Sequence, residues 1–78
     1  MNVQVFDTHV RTLEGAYLHF DVLIEGQDQA LAARHARDWL ASRGVMAEDV
    51  AQSRCQFCHS EPAHPEVAAA IRYLGLTQ

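Results

Sequence analysis

Apolar and polar residues alternate over residues 3–10 and again over 17–24, the period of a half-buried β-strand. Glu14-Gly15-Ala16 separates the two runs and offers Gly where a tight hairpin needs positive φ, so the pair predicts a β-hairpin. A three-residue loop there sets Val10 opposite Phe20, Thr8 opposite Val22 and Phe6 opposite Ile24. Leu18 extends the same apolar face, while Asp7, His9 and Arg11 on the other face meet Leu23, Asp21 and His19. A one-residue slip mixes the two sets, and the cleaner separation favours this register.

The pattern then changes period. Asp28 is a natural N-cap, and residues 29–43 are mostly strong helix formers, with Ala32, Ala36, Trp39, Leu40 and Arg43 at helical spacing. Gly44 suits the position just past the helix. Residues 45–49 read as a connector. Residues 50–58 predict a third strand, Ala51, Ser53, Cys55 and Phe57 alternating with Gln52, Arg54 and Gln56. A loop over 59–64 follows, and Pro65 at a first helical position opens a second helix over 66–74 with Val67, Ala70, Ile71 and Leu74 as its apolar stripe, closed by Gly75. The predicted fold class is therefore α+β in the order β-β-α-β-α. A right-handed crossover lays the third strand parallel to the second, which gives a three-stranded mixed sheet with the first strand central and two helices on one face.

Length and composition restrict the choices further. A chain of 78 residues has room for a single small domain, residues 1–78, that buries about 60–65% of its unfolded surface. No apolar run approaches a membrane span, and the opening residues show neither a basic start nor a signal-like core. A cytoplasmic location is expected, with no membrane partner. The formal charge of −4, with all six basic residues being scattered arginines, argues against a nucleic-acid partner, which requires a clustered basic surface.

The densest chemical cluster is Cys55-Gln56-Phe57-Cys58-His59, followed by His64. Thiolate and imidazole suit zinc, and a Cys-x-x-Cys spacing lets two sulfurs approach one centre, so Cys55, Cys58, His59 and His64 form a candidate metal site. The same string matches the attachment motif of c-type haem, but that chemistry normally follows export. The plainest reading makes Cys55, which shares strand parity with Phe57, an apolar filler. A second candidate site is the polar hairpin face: Asp7, His9, His19 and Asp21 can bind a divalent metal, act as general acid and base, or simply form cross-strand charge pairs. No nucleophile elbow, phosphate loop or dinucleotide fingerprint occurs.

With these residues laid out, the chain resembles the small bacterial family catalogued as domain of unknown function twenty twenty-four. The resemblance rests on Val5-Phe6-Asp7-Thr8-His9-Val10, His19-Phe20-Asp21-Val22, Cys55-Gln56-Phe57-Cys58-His59-Ser60-Glu61, and Pro65-Glu66-Val67 with Ala70-Ile71. The Cys-x-Phe-Cys-His-Ser piece is the specific part. The resemblance implies a compact α+β protein and no assigned activity. The leading expectation is a non-enzymatic domain acting through a protein partner or as a homodimer, by its open sheet face or a sheet edge. The alternative is a metal-binding domain, with zinc as the first candidate cofactor.

Overall fold

The computed structural model describes residues 2–77. Strands β1 (Asn2–Thr12) and β2 (Tyr17–Ile24) form the expected hairpin. Helix α1 (Gln29–Ser42) follows, a 3₁₀ turn spans Ala47–Asp49, and strands β3 (Val50–Pro62) and β4 (Ala69–Thr77) complete the chain. They make one sheet in the order β3-β1-β2-β4, and every neighbouring pair is antiparallel.

The expected faces form, but the hairpin register slides by two residues. Thr8 pairs with Phe20, Val10 with Leu18, Phe6 with Val22 and His9 with His19. The cause lies in the loop. The Gly15 amide donates to the Thr12 carbonyl at 3.1 Å and the Thr12 amide to the Ala16 carbonyl at 2.9 Å. Gly15, with φ 94°, therefore takes the last position of a loop formed by Leu13, Glu14 and Gly15, the left-handed site that follows a type I turn. A shift of two preserves side-chain parity, so no residue changes face.

The expected three-stranded mixed sheet with two helices is corrected to four antiparallel strands and one helix. The first strand does lie antiparallel to both neighbours, with β3 on its far side. The segment expected as a second helix is a turn followed by β4. The Val67 amide donates to the His64 carbonyl at 3.0 Å, which puts Pro65 at the second position of a β-turn. That position and the first residue of a helix demand the same φ, so the Pro signal does not separate them. Tertiary pairing decides. β2 has an outer edge of backbone groups open to pairing with a further strand, and β4 supplies it from Tyr17↔Thr77 to Ile24↔Ala69. Ile71 and Tyr73 then face the same side as Val22 and Phe20, their partners.

Strand β3 runs to Pro62, beyond the expected end at Cys58, and Asn2 pairs with Pro62. A bulge between the Val5 and Phe6 pairs leaves Cys58 as the extra residue, since Val5 faces His59 and Phe6 faces Phe57. The bulge reverses the phase of the strand. Arg54 and Gln56 share the open face before it, His59 and Glu61 after it.

The core lies between α1 and the first face: Phe6, Val10, Leu18, Phe20, Val22 and Ile24 pack against Ala32, Ala36 and Leu40. Each large apolar side chain removed from water there contributes about 1.5–3 kcal/mol. The Asp28 carboxylate accepts from the Leu31 amide at 3.1 Å and caps α1. At the other end the Val45 amide donates to the Leu40 carbonyl and the Gly44 amide to that of Ala41, a Schellman closure with Gly44 at φ 85°. Trp39 packs on Phe20 with ring centroids 4.4 Å apart. Among the described residues, no helix is long and apolar enough to cross a membrane.

Candidate functional site

Asp7, His9 and Arg11 on β1 and Tyr17, His19 and Asp21 on β2 share the face that α1 leaves uncovered, because alternate residues of a strand point to the same side. Asp7 lies opposite Asp21 and His9 opposite His19. Two carboxylates placed directly across from each other repel, and each is engaged by different partners.

Asp7 is shared by the two imidazoles. Its Oδ2 lies 2.8 Å from His9 Nε2 and its Oδ1 lies 2.6 Å from His19 Nε2. Partial burial pushes the Asp7 carboxyl up, but the hydrogen bonds from His19 and His9 outweigh it and hold the group below its ordinary value of 3.8. The two imidazole rings stack, centroids 4.2 Å apart and planes inclined by 14°. On its far side His9 Nδ1 is hydrogen-bonded to the Tyr17 hydroxyl. The Arg11 guanidinium in turn lies over the Tyr17 ring, 5.5 Å from its centroid. Each ring of the site is thus held on two sides.

Asp21 belongs to a different network. It is nearly buried, its side chain 12% exposed, and Arg72 of β4 donates to its Oδ2 through Nη2 at 3.0 Å and Nε at 3.2 Å. Arg72 Nη1 also donates to Glu61 Oε1 at 2.9 Å, and His59 Nε2 lies 3.1 Å from Glu61 Oε2. Hydrogen bonds from Arg72 and then His59 depress the Glu61 carboxyl. Arg72 and Glu61 sit on the two outer strands, so their bridge passes over the inner pair near Val3 and Val5, both fully buried.

Asp7, His9 and His19 each offer one ligand atom, and these atoms all lie within 4.8 Å of one another. Among the described residues this is the one group of three or more His, Cys, Asp or Glu that is so arranged. The cysteine cluster is spread out instead. Cys55 is half-buried on the helix side, its Sγ 3.4 Å from Thr8 Oγ1. Burial pushes its thiol up, more than the Thr8 hydroxyl lowers it. Cys58 is exposed at the bulge, His59 is occupied by Glu61, and His64 stands in the loop with its Nδ1 3.9 Å from Glu66.

Beside His9 the face opens into a cleft of about 500 Å³ lined by His9, Arg11, Tyr17, Gln52, Ser53 and Arg54. On the other side of the site, the direct partner of His19 on β4 is Gly75, which carries no side chain. Tyr17 and Arg72 carry roles that the linear sequence did not assign. Tyr17 shares parity with His19, and the alternation that grouped the histidines reaches it too. Arg72 has no such signal, because its face depends on β4 being a strand.

A family model for the domain of unknown function DUF2024 matches residues 1–77, and the chain belongs to that family. The chain is also similar to protein NE1680 from Nitrosomonas europaea, a structural genomics target solved by NMR. The two are 38% identical, with a TM-score of 0.62, over 85% of this chain and 78% of that one. No curated protein matches.

Proposed function

We propose that this DUF2024 domain binds a divalent transition-metal ion on its uncovered sheet face, with Asp7, His9 and His19 as ligands. The observation that carries the reading is the convergence of one ligand atom each from Asp7, His9 and His19 within 4.8 Å on the two inner strands. Ligands held at about 2.0–2.2 Å from zinc lie roughly 3.0–3.5 Å apart. The imidazole–carboxylate separations of 2.8 and 2.6 Å need to widen by less than an ångström to admit the ion. Two imidazoles and a carboxylate, without thiolate, suit Zn²⁺, Fe²⁺ or Co²⁺ and leave coordination positions open. A metal bound at Nε2 requires the neutral His9 tautomer with its proton on Nδ1, where it would donate to the Tyr17 hydroxyl, the outer hydrogen bond that orients a metal-bound imidazole.

Cobalt titration tests the reading, because Co²⁺ reports its ligands by its visible spectrum. Protein purified without a metal-affinity tag is expected to take up one Co²⁺ with a nitrogen–oxygen spectrum free of thiolate charge transfer. His19→Ala is expected to abolish that uptake, and the double variant Cys58→Ser, His59→Ala to retain it. Uptake that survives in His19→Ala and is lost in the double variant removes the proposal.

A second reading, homodimerisation through the outer edge of β3, is supported by the thirteen-residue length of that strand and by Phe57, 49% exposed beside Phe6. Long edges with unpaired backbone groups invite a further strand. Sedimentation of Phe57→Lys against the parent is the test: dimer dissociation supports the reading, and a parent that is monomeric at high concentration ends it.

A further inference from the structure

We infer that the cleft beside His9 is a site for a small oxyanion, a carboxylate or phosphate group, held by the guanidinium groups of Arg11 and Arg54. The chain is acidic overall, with ten Asp and Glu against six Arg, yet the lining of this cleft contains two arginines and no carboxylate. Its nearest acid on the sheet, Asp7, is already engaged by His9 and His19. Among the described residues, neither Arg11 nor Arg54 forms an ion pair, whereas Arg72 forms two. Their positive charge is therefore unopposed within the cleft, and such a concavity concentrates anions.

The strand register explains why both reach one anion. Arg54 lies opposite His9 and Arg11 opposite Gln52, which makes the two arginines diagonal neighbours on one face. Diagonal pairs stand about 7–8 Å apart at their bases, within reach of a common ligand for side chains this long. Arg11 also lies over the Tyr17 ring, 5.5 Å from its centroid, a cation–π contact that favours its guanidinium at this end of the cleft. Planar guanidinium forks match the paired oxygens of carboxylate and phosphate. Gln52, opposite Arg11 on the same face, adds a neutral donor, and the volume of about 500 Å³ suits a small molecule.

Resting on the metal reading above, the same ligand can use a second oxygen to fill an open position of the ion, since His9 belongs both to the metal group and to the cleft wall. The anion would thus bridge the arginines and the metal. That defines the substrate or ligand class of the site: a small molecule with two oxyanion groups, or one group whose oxygens reach both.

The experiment titrates oxalate and inorganic phosphate separately into the protein, first metal-free and then loaded with Co²⁺, following the arginine Nε–H resonances by NMR and the cobalt spectrum. A saturable shift of Arg11 and Arg54 by either probe is expected, with Arg34 and Arg37 of α1 unmoved. Arg54→Gln is expected to weaken anion binding about tenfold, as loss of a charge-assisted pair does, and to leave Co²⁺ affinity intact. Oxalate alone perturbing the cobalt spectrum identifies a carboxylate ligand, and phosphate alone identifies a phosphate. The inference is overturned by shifts that track ionic strength at all four arginines, or by parental anion affinity in both Arg11→Gln and Arg54→Gln. Failure of Co²⁺ to bind, with the anion shifts present, removes the metal reading and leaves the cleft assignment standing. Normal Co²⁺ binding with no anion shift does the reverse.

Discussion

His9 and His19 face each other directly across the central hairpin, their rings stacked 4.2 Å apart, and both turn Nε2 toward the same Asp7 carboxylate. A two-residue hairpin slide relative to the expected register creates this relationship. In the expected alignment His9 met Asp21, and a simple cross-strand charge pair resulted. In the structure the two imidazoles stand side by side with one acid between their nitrogens, and Asp21 is left to Arg72.

Tyr17 is the first residue whose replacement distinguishes a metal site from a hydrogen-bonded cluster. Its hydroxyl meets His9 Nδ1 and touches no proposed ligand atom. Tyr17→Phe is expected to lower metal affinity about tenfold, the usual consequence of removing an outer partner of a ligating imidazole. Competition against a chromophoric chelator measures it. Unchanged affinity excludes Tyr17 from orienting His9.

Arg72 stabilises the face at a different point. Arg72→Gln leaves the nearly buried Asp21 carboxylate without its cation and across from Asp7. The expected destabilisation is about 1–2 kcal/mol by urea unfolding, below the figure for a fully buried pair because Arg72 is itself partly exposed. Asp21→Asn in the same chain is expected to restore part of the loss. A double variant no better than Arg72→Gln shows that the unpaired charge is not the cause.

Acid should destabilise the face in a defined window. Hydrogen bonds from His19 and His9 keep Asp7 below its ordinary value of 3.8 despite partial burial, and Arg72 and His59 keep Glu61 below 4.5. A carboxyl depressed in the folded state binds its proton more readily when unfolded. Its stabilisation is therefore complete above the unfolded value and lost as pH falls through the folded one. Unfolding free energy is expected to be insensitive to these two groups above about pH 5 and to fall below about pH 4. Asp7→Asn should flatten part of that fall. An equal slope in parent and variant contradicts the account of Asp7.

How much of this was legible in the chain differs by element. Side-chain parity in the hairpin separates Phe6, Val10, Phe20 and Val22 from Asp7, His9, His19 and Asp21, and a slide of two residues leaves that separation intact. Helix α1 announces itself by Asp28 and Gly44, both of which act through backbone hydrogen bonds a few residues away. β4 was hidden because its deciding interaction is with β2, some fifty residues earlier in the chain, whereas Pro65 and the Val67, Ala70, Ile71, Leu74 spacing are local signals that also suit a helix. The Cys55–His59 string drew attention as a ligand set through its spacing. The bulge at Cys58 sends its members to different surroundings, and a bulge leaves little trace in a sequence when it contains no glycine.

The metal site itself is tested most directly through the imidazole nitrogens. The chain has five histidines, and long-range ¹H–¹⁵N NMR resolves the two nitrogens of each ring. On addition of one equivalent of Zn²⁺, the Nε2 resonances of His9 and His19 are expected to move to metal-bound values, with Nδ1 of His9 protonated. The rings of His35, His59 and His64 are expected to stay as they were. Zinc-dependent shifts at His59 and His64 with none at His9 and His19, or no shift in any ring, would contradict the assignment.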